Sequence, residues 1–332
     1  MVVPGRRHRA RRRRTLCWAE QRLSEPASRY FDHVTSANRP PTAREIATAA
    51  LGRDPGPLEA VHSLSHRVYV GGDVVVKLTD RHTRLDHEIA LSPQLPHGIT
   101  APLLASGRRD GVRYACYERV PGASPGAHLP HTDAATARTL AVQAVERLDR
   151  LHAWTPGPGA AELLRQPFTS GAFTGREALR EEIDRLRAAD RDGVVSRRIL
   201  TGLIAIADRA PEHAGTDVPV HADCFWDNWL ADGDTVTALL DFEWARFGEP
   251  ADDWFFLIRF SGPHAALVLD VVAEATGTPA DVLRADCEVR EASHVVADVR
   301  LSLENDPEAG VGTIAGLEEL IIGRYWWRDS KA

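Results

Sequence analysis

His221-Ala222-Asp223-Cys224-Phe225-Trp226-Asp227-Asn228, followed by a short apolar run and then Asp241-Phe242-Glu243, is the stretch on which the reading of this 332-residue chain turns. The pattern is HxDxxxxN, an apolar strand and an aspartate. Phosphoryl transfer asks for those residue types in that order. One carboxylate orients and deprotonates an acceptor hydroxyl, and an Asn and an Asp hold Mg²⁺ against the phosphates. Asp223 is the candidate general base, and Asn228 and Asp241 are the candidate Mg²⁺ ligands. An amide oxygen and a carboxylate suit that hard ion. The plainer readings are a turn cap for Asp223 and a strand-end cap for Asp241. A carboxylate at the end of the apolar Thr235–Leu240 strand is partly desolvated, however, and wants a cation. His221 belongs with Asp223 as the residue that holds the loop through hydrogen bonds, not as one that touches a nucleotide.

Composition narrows the alternatives. With 43% hydrophobic and 26% charged residues the chain is an ordinary globular mixture. Its net charge of −7 does not advertise nucleic-acid binding. No apolar run approaches the roughly 18 residues of a membrane span. Cys17, Cys116, Cys224 and Cys287 form no CxxC pair, which argues for reduced thiols and a cytoplasmic location and leaves little basis for a zinc site on cysteines. Lysine occurs only at Lys77 and Lys331. Neither follows a glycine, so a P-loop is excluded. Against that arginine bias, Lys77 in an apolar strand calls for a reason. We read it as a phosphate ligand, against the plainer reading of a snorkelling edge-strand lysine. Glu88 is its expected ion-pair partner. Asp86 lies close by, but Glu88 shares a helix face with Leu85 and Leu91, the face expected to meet the sheet.

The chain divides into three parts. Residues 1–40 carry the run Arg6 to Arg14, a like-charge block expected to be disordered. Residues 41–120 read as a small lobe. Thr42 and Glu45 form a capping box opening a helix. Strands follow at Leu58–His62, Val68–Val70, Val74–Leu78, Thr100–Ala105 and Arg113–Val120, with a helix over Arg84–Leu91. Pro121-Gly122-Ala123-Ser124-Pro125-Gly126 is a linker. Residues 121–332 are mainly helical, with apolar spacing over Thr132–Trp154, Arg176–Ala189 and Ser196–Arg209. The fold class is α+β, with an antiparallel sheet lobe and a larger helical lobe. Leu64-Ser65-His66-Arg67 is the expected loop over the phosphates, where Ser65 and Arg67 offer side-chain contacts; an ordinary hairpin turn is the rival. Trp226, Trp229, Trp244 and Trp254 crowd the key motif, as core filler or as a wall for sugars and amines.

These residues resemble the aminoglycoside phosphotransferase and choline kinase-like family, from about residue 58 to about residue 257. Ser65-His66-Arg67-Val68-Tyr69 is similar to the family's Ser/Thr-Asn-Arg-x-Tyr, with His66 in place of the asparagine. Tyr117-Glu118-Arg119-Val120-Pro121-Gly122 resembles the hinge whose backbone binds adenine, which implies nucleotide contacts at Glu118 and Val120. Leu148–His152 resembles the Leu-x-x-Leu-His helix. Gly248–Asp253 resembles Gly-Asp-Pro-x-x-Asp, where Asp253 is a structural anchor. The chain departs from the pattern at Ala222, in place of glycine, and in a phosphate loop that has His62 and Ser63 in place of glycines. The resemblance implies a bilobal protein-kinase-like fold, Mg²⁺, and ATP or GTP as co-substrate. It further implies a small-molecule hydroxyl acceptor such as an antibiotic, with resistance or self-protection as the role. Neither a membrane nor a specific nucleic acid is expected as partner. A cationic acceptor could be drawn by Glu288, Glu291, Asp298, Glu304 and Asp306, which read equally as solvated helix faces. The rivals are a metabolic kinase for an amino alcohol, sugar or homoserine-like compound, and a nucleotide-binding pseudokinase.

Overall fold

The computed structural model describes residues 41–63, 65–80, 84–166, 171–305 and 307–328, with side chains from 312 onward in the last segment. The basic block within 1–40 and Lys331 therefore lie outside the described residues.

The small lobe opens with α1 (Ala43–Leu51). Thr42 and Glu45 cap it reciprocally, as expected, and Gly52 ends it at φ +68°. A five-stranded sheet follows, built from β1 (Glu59–Val61), β2 (Arg67–Val70), β3 (Val74–Thr79), β4 (Leu103–Arg109) and β5 (Val112–Glu118). Its order is β1-β2-β3-β5-β4 and every pairing is antiparallel. Alternation along β3 divides the two faces. Val74, Val76 and Leu78 are buried with Ile46 and Ala47 of α1. Lys77, opposite Ala115 of β5, points the other way, toward the face covered by Leu85 and Ile89 of α2 (Leu85–Leu91).

β4 begins and ends later than the expected Thr100–Ala105. Pro102 has no N–H for the ladder; its carbonyl instead accepts from Glu118 N at 2.8 Å. At the far end Asp110 and Gly111 sit at φ +48° and +81°, as a tight two-residue hairpin requires, so the strand runs on to meet them. Leu58–His62 shortens to the three exposed residues of β1.

The larger lobe holds α3 (Ala134–His152), α4 (Pro158–Leu164), α5 (Arg176–Ala189), α6 (Arg197–Arg209), α7 (Pro250–Arg259), α8 (Ala265–Thr276), α9 (Ala280–Asn305) and α10 (Pro307–Ile321). Two small hairpins are set among them. β6 (Val218–Val220) pairs with β9 (Arg246–Gly248), and β7 (Trp229–Asp232) pairs with β8 (Thr235–Leu239). Trp226, Trp229, Phe242, Phe255 and Phe260 are fully buried, and Trp254 nearly so, which gives these indoles to the core.

Two features fix the lobes to each other. The linker is stapled to β7 by paired Ala123–Ala231 backbone bonds of 2.9 Å. Gly122, at φ +107°, runs so close that a Cβ there would lie 2.6 Å from Ala231 backbone. Arg147 of α3 is half-buried without a carboxylate partner among the described residues. Its guanidinium donates to Ile99 O at 3.0 Å in the small lobe, and to Val236 O and Thr237 O at 3.1 Å in β8. Burial lowers its pKa to about 10, which leaves it charged at neutral pH.

No single helix among the described residues is long and apolar enough to cross a membrane. The C-terminal acids depart from expectation. Glu288 and Glu291 are buried, paired with Arg209 at 3.0 Å and Arg259 at 2.7 Å. α9 is packed by α5, α7, α8 and α10, so it has no broad solvent face. Only Glu304 is exposed as expected, beside Arg300. Asp298 is half-buried, and Asp306 lies outside the described residues.

Candidate active site

The 221–228 loop is shaped by one buried carboxylate. Asp253, at the start of α7 and 0% exposed, accepts from His221 N at 3.0 Å and from Ala222 N at 2.6 Å. His152, the last residue of α3, adds its Nε2 at 2.8 Å. Burial alone would raise the Asp253 pKa; the bond and charge of His152 hold it below the usual carboxylate value. Three elements thus converge on one anchor. The turn it fixes puts Ala222 at φ +64°, the left-handed region where glycine is at ease and alanine is strained.

His221 is completely buried. Burial lowers its pKa, so the ring is neutral. Its Nε2 donates to Leu240 O at 2.8 Å and its Nδ1 accepts from Asp223 N at 3.2 Å. Phe242 meets it edge-on at 4.5 Å. The imidazole joins the two halves of the motif and is shielded from any ligand.

Asn228 donates Nδ2 to Asp223 O at 2.7 Å, which leaves its Oδ1 as the atom it can offer outward. Leu240 N donates to Asn228 O at 2.7 Å, bringing the residue before Asp241 against the loop. Asp241 itself is left-handed, at φ +67° and ψ 57°. Strain at two non-glycine residues, Ala222 and Asp241, marks the segment as held by its surroundings.

From the opposite lobe Lys77 reaches across. Its Nζ lies 2.9 and 3.0 Å from the two Glu88 oxygens and 3.3 Å from Asp241 Oδ1. Desolvation opposes the charge on Lys77, but Asp241 and Glu88 overcome it and hold the ammonium protonated. Burial opposes the charge on Asp241, but Lys77, His66 and His221 together outweigh it and hold the carboxyl below its usual value. Burial, with Asp241 and Glu243 nearby, raises Glu88 to about 7. Asp86 is exposed and pairs with Arg113, so Glu88 is the helix carboxylate that meets the lysine. Both oxygen donors expected for a hard divalent ion are therefore present: a free amide oxygen and an ionised carboxylate.

The remaining expected residues are placed less closely. Ser65 is exposed, and Arg67 is exposed with its guanidinium 3.6 Å from Asp80, turned from Lys77. A strand-edge arginine beside a surface carboxylate takes that partner when no anion competes. Glu118 spends its N–H on Pro102, Arg119 donates to Asp73 O at 3.0 Å, and Val120 is half-buried at the sheet edge.

Several contacts were not visible in the sequence. His66 turns inward and meets Glu243 through Nε2. Arg84 donates Nε to Glu243 O at 2.6 Å and lies over Trp244, while His87 Nε2 donates to Ala245 O at 3.0 Å. These bonds tie α2 to the segment after Asp241. Asp227 accepts from Ala127 N at 2.8 Å and from Ser124 Oγ at 3.1 Å, which moors the linker on the loop.

Comparison with solved structures gives the same architecture. A GDP and kanamycin complex of APH(2")-IIIa is 20% identical, covering 82% of this chain and 96% of that one at a TM-score of 0.63. Macrolide 2'-phosphotransferase MphH from Brachybacterium faecium is 21% identical, with 82% and 96% covered and a TM-score of 0.61. A thermostable mutant of APH(4)-Ia, in ternary complex with AMP-PNP and hygromycin B, is 17% identical, with 84% and 97% covered and a TM-score of 0.60. No curated protein matches the sequence. The family comparison matches residues 59–286, well over half of the chain, and with the bilobal kinase-like fold it means that the protein belongs to the phosphotransferase enzyme family.

Proposed function

We propose that the protein transfers the γ-phosphoryl group of ATP or GTP to a hydroxyl of a small-molecule antibiotic. The observation that carries this reading is the meeting of Asp223, Asn228, Asp241 and the Lys77–Glu88 pair between two lobes. Asp223 accepts the acceptor's proton. Lys77, aimed by Glu88, binds the nucleotide phosphates. Asn228 Oδ1 and the Asp241 carboxylate would hold Mg²⁺, which neutralises charge on the phosphates when bound. His221 and Asp253 hold the loop so that Asp223 is placed without searching. Ser65, Arg67 and the hinge backbone at Glu118 and Val120 complete the nucleotide site in this reading. The exposure of Ser65 and Arg67 is in keeping with groups that wait for a ligand.

Structures of this fold with GDP, AMP-PNP, kanamycin and hygromycin B support a nucleotide donor and an antibiotic acceptor. One observation widens the acceptor class. Glu288 and Glu291, the acids that could have drawn a polycation, are buried and already paired, with Arg209 and with the buried Arg259. Macrolides and metabolic amino alcohols or sugars therefore stand beside aminoglycosides as acceptors. The pseudokinase reading is disfavoured, because base, metal ligands and lysine all remain.

The test is a turnover screen with Mg·ATP and Mg·GTP over antibiotics, amino alcohols and sugars, with Asp223→Ala as control. A phosphorylated antibiotic that disappears with the variant is the expected result. Undiminished turnover by Asp223→Ala would sink the role given to that residue.

A further inference from the structure

His66 and Glu243 form a contact that phosphoryl transfer does not need. Their side chains are 1% and 6% exposed, so the pair is sealed from water. Asp241 lies with them. His66 Nε2, a carboxylate oxygen of Asp241 and one of Glu243 all fall within 4.8 Å of one another. The other ring nitrogen, His66 Nδ1, is buried with no hydrogen-bond partner among the described residues. The imidazole is thus directed wholly toward the two carboxylates.

A lone pair facing two carboxylates is repulsive unless a cation lies between them. That cation is either a proton on Nε2 or a metal ion. Asp241, Glu243 and Glu88 bring three carboxylates. Lys77 is bound to two of them, and Arg84 gives its Nε to the Glu243 carbonyl oxygen. Glu243 is the one of the three whose carboxylate Lys77 does not hold, and its partner is His66.

We propose that His66, Asp241 and Glu243 form a chelating site for a borderline divalent transition-metal ion such as Zn²⁺. One nitrogen and two carboxylate oxygens are a donor set that such ions accept, with a fourth position left open to water. Bonds of about 2.0–2.2 Å place tetrahedral ligands roughly 3.3–3.5 Å apart. His66 Nε2 and Glu243 are in direct contact, so an ion enters as those two side chains part to that spacing. Mg²⁺ prefers an all-oxygen shell, so the imidazole separates this site from the Asn228–Asp241 pair. An ion held here clamps the 65–67 turn onto Asp241 and takes a carboxylate that the phosphotransferase site needs. Zn²⁺ would therefore oppose Mg·nucleotide binding.

The site is tested on full-length, chelator-stripped protein without a histidine tag and without nucleotide. Its outcome is thus separate from the acceptor screen. Co²⁺ is titrated and followed by its visible absorption. One equivalent is expected to bind, with an intense four-coordinate band. His66→Asn and Glu243→Gln should each weaken binding by at least about tenfold, the range for loss of even an outer-sphere partner. His213→Asn, a change at an exposed histidine, should leave it intact. Far-UV circular dichroism checks that the variants fold. A zinc-edge anomalous map from a soaked wild-type crystal needs no variant, and is expected to place the ion between the three side chains. Absence of stoichiometric Co²⁺ binding, equal binding by wild type and His66→Asn, or an anomalous peak elsewhere would overturn the proposal and leave a proton between His66 and Glu243.

Discussion

The two walls of the cleft are built by different means. On the large-lobe side, the 221–241 segment hangs from a buried aspartate, a neutral buried histidine and two left-handed residues, with its polar atoms matched. On the small-lobe side, the Ser65, Arg67 and Glu118 side chains are exposed, while Lys77 and Glu88 hold each other in a buried pair. In the proposed reaction the contrast follows from the work each wall does. A base must stand at one place relative to a hydroxyl. A nucleotide brings its own charge and its own flat ring, so the groups that receive it can be ordered by it.

The largest effects should separate placement from chemistry on the same loop. Asp223→Asn should lower turnover by about 10²–10⁴-fold while leaving thermal melting near wild type. Asp253→Ala removes the partner of two backbone N–H groups and of His152. It should cost about 3–5 kcal/mol, seen as a fall in melting temperature on the order of 10 °C, with activity lost alongside. A variant of Asp253 that melts normally would show that the loop holds itself. Arg147→Met tests the joint between the lobes. It strips donors from several carbonyls and should cost about 1–3 kcal/mol in thermal denaturation.

A pH test comes next. Glu88 has its pKa raised to about 7 by burial and by its acidic neighbours, whereas in the unfolded chain it titrates near about 4.3. The stabilisation from its protonated form is complete below the unfolded value and is lost as pH rises through 7. Lys77 stays charged over that window and does not cancel the effect. Melting measured from pH 5 to 8 should therefore show wild type losing stability relative to Glu88→Gln, by about 1 kcal/mol per pH unit at most. Ala222→Gly should have the smallest effect. Relief of left-handed strain, about 1–2 kcal/mol, is largely offset by the freer unfolded chain, so a gain under about 1 kcal/mol is expected in denaturant titration.

What was legible in the sequence was local. The capping box at Thr42, the β3 alternation that isolates Lys77, and the helix over Arg176–Ala189 each rest on spacing within one element. Glu88 was separable from Asp86 because helical phase decides which carboxylate faces the sheet. Long-range pairing was not legible. His66 and Glu243 stand 177 positions apart, and nothing near either announces the other. Glu291 read as a solvated acid because its partner Arg259 lies on another helix. β4 was displaced by two local signals left unweighed, a proline without a donor and an Asp-Gly turn.

Arg147 has a mechanical consequence. A guanidinium spans the seam by gripping carbonyl oxygens alone, and those bonds bend more readily than they stretch. Sliding of one lobe past the other would break them together, whereas tilting about the seam keeps them. The softest relative displacement at this seam is therefore a tilt rather than a slide. Any such tilt carries Lys77 on an arc about the seam and leaves Asp223 on the loop that Asp253 anchors.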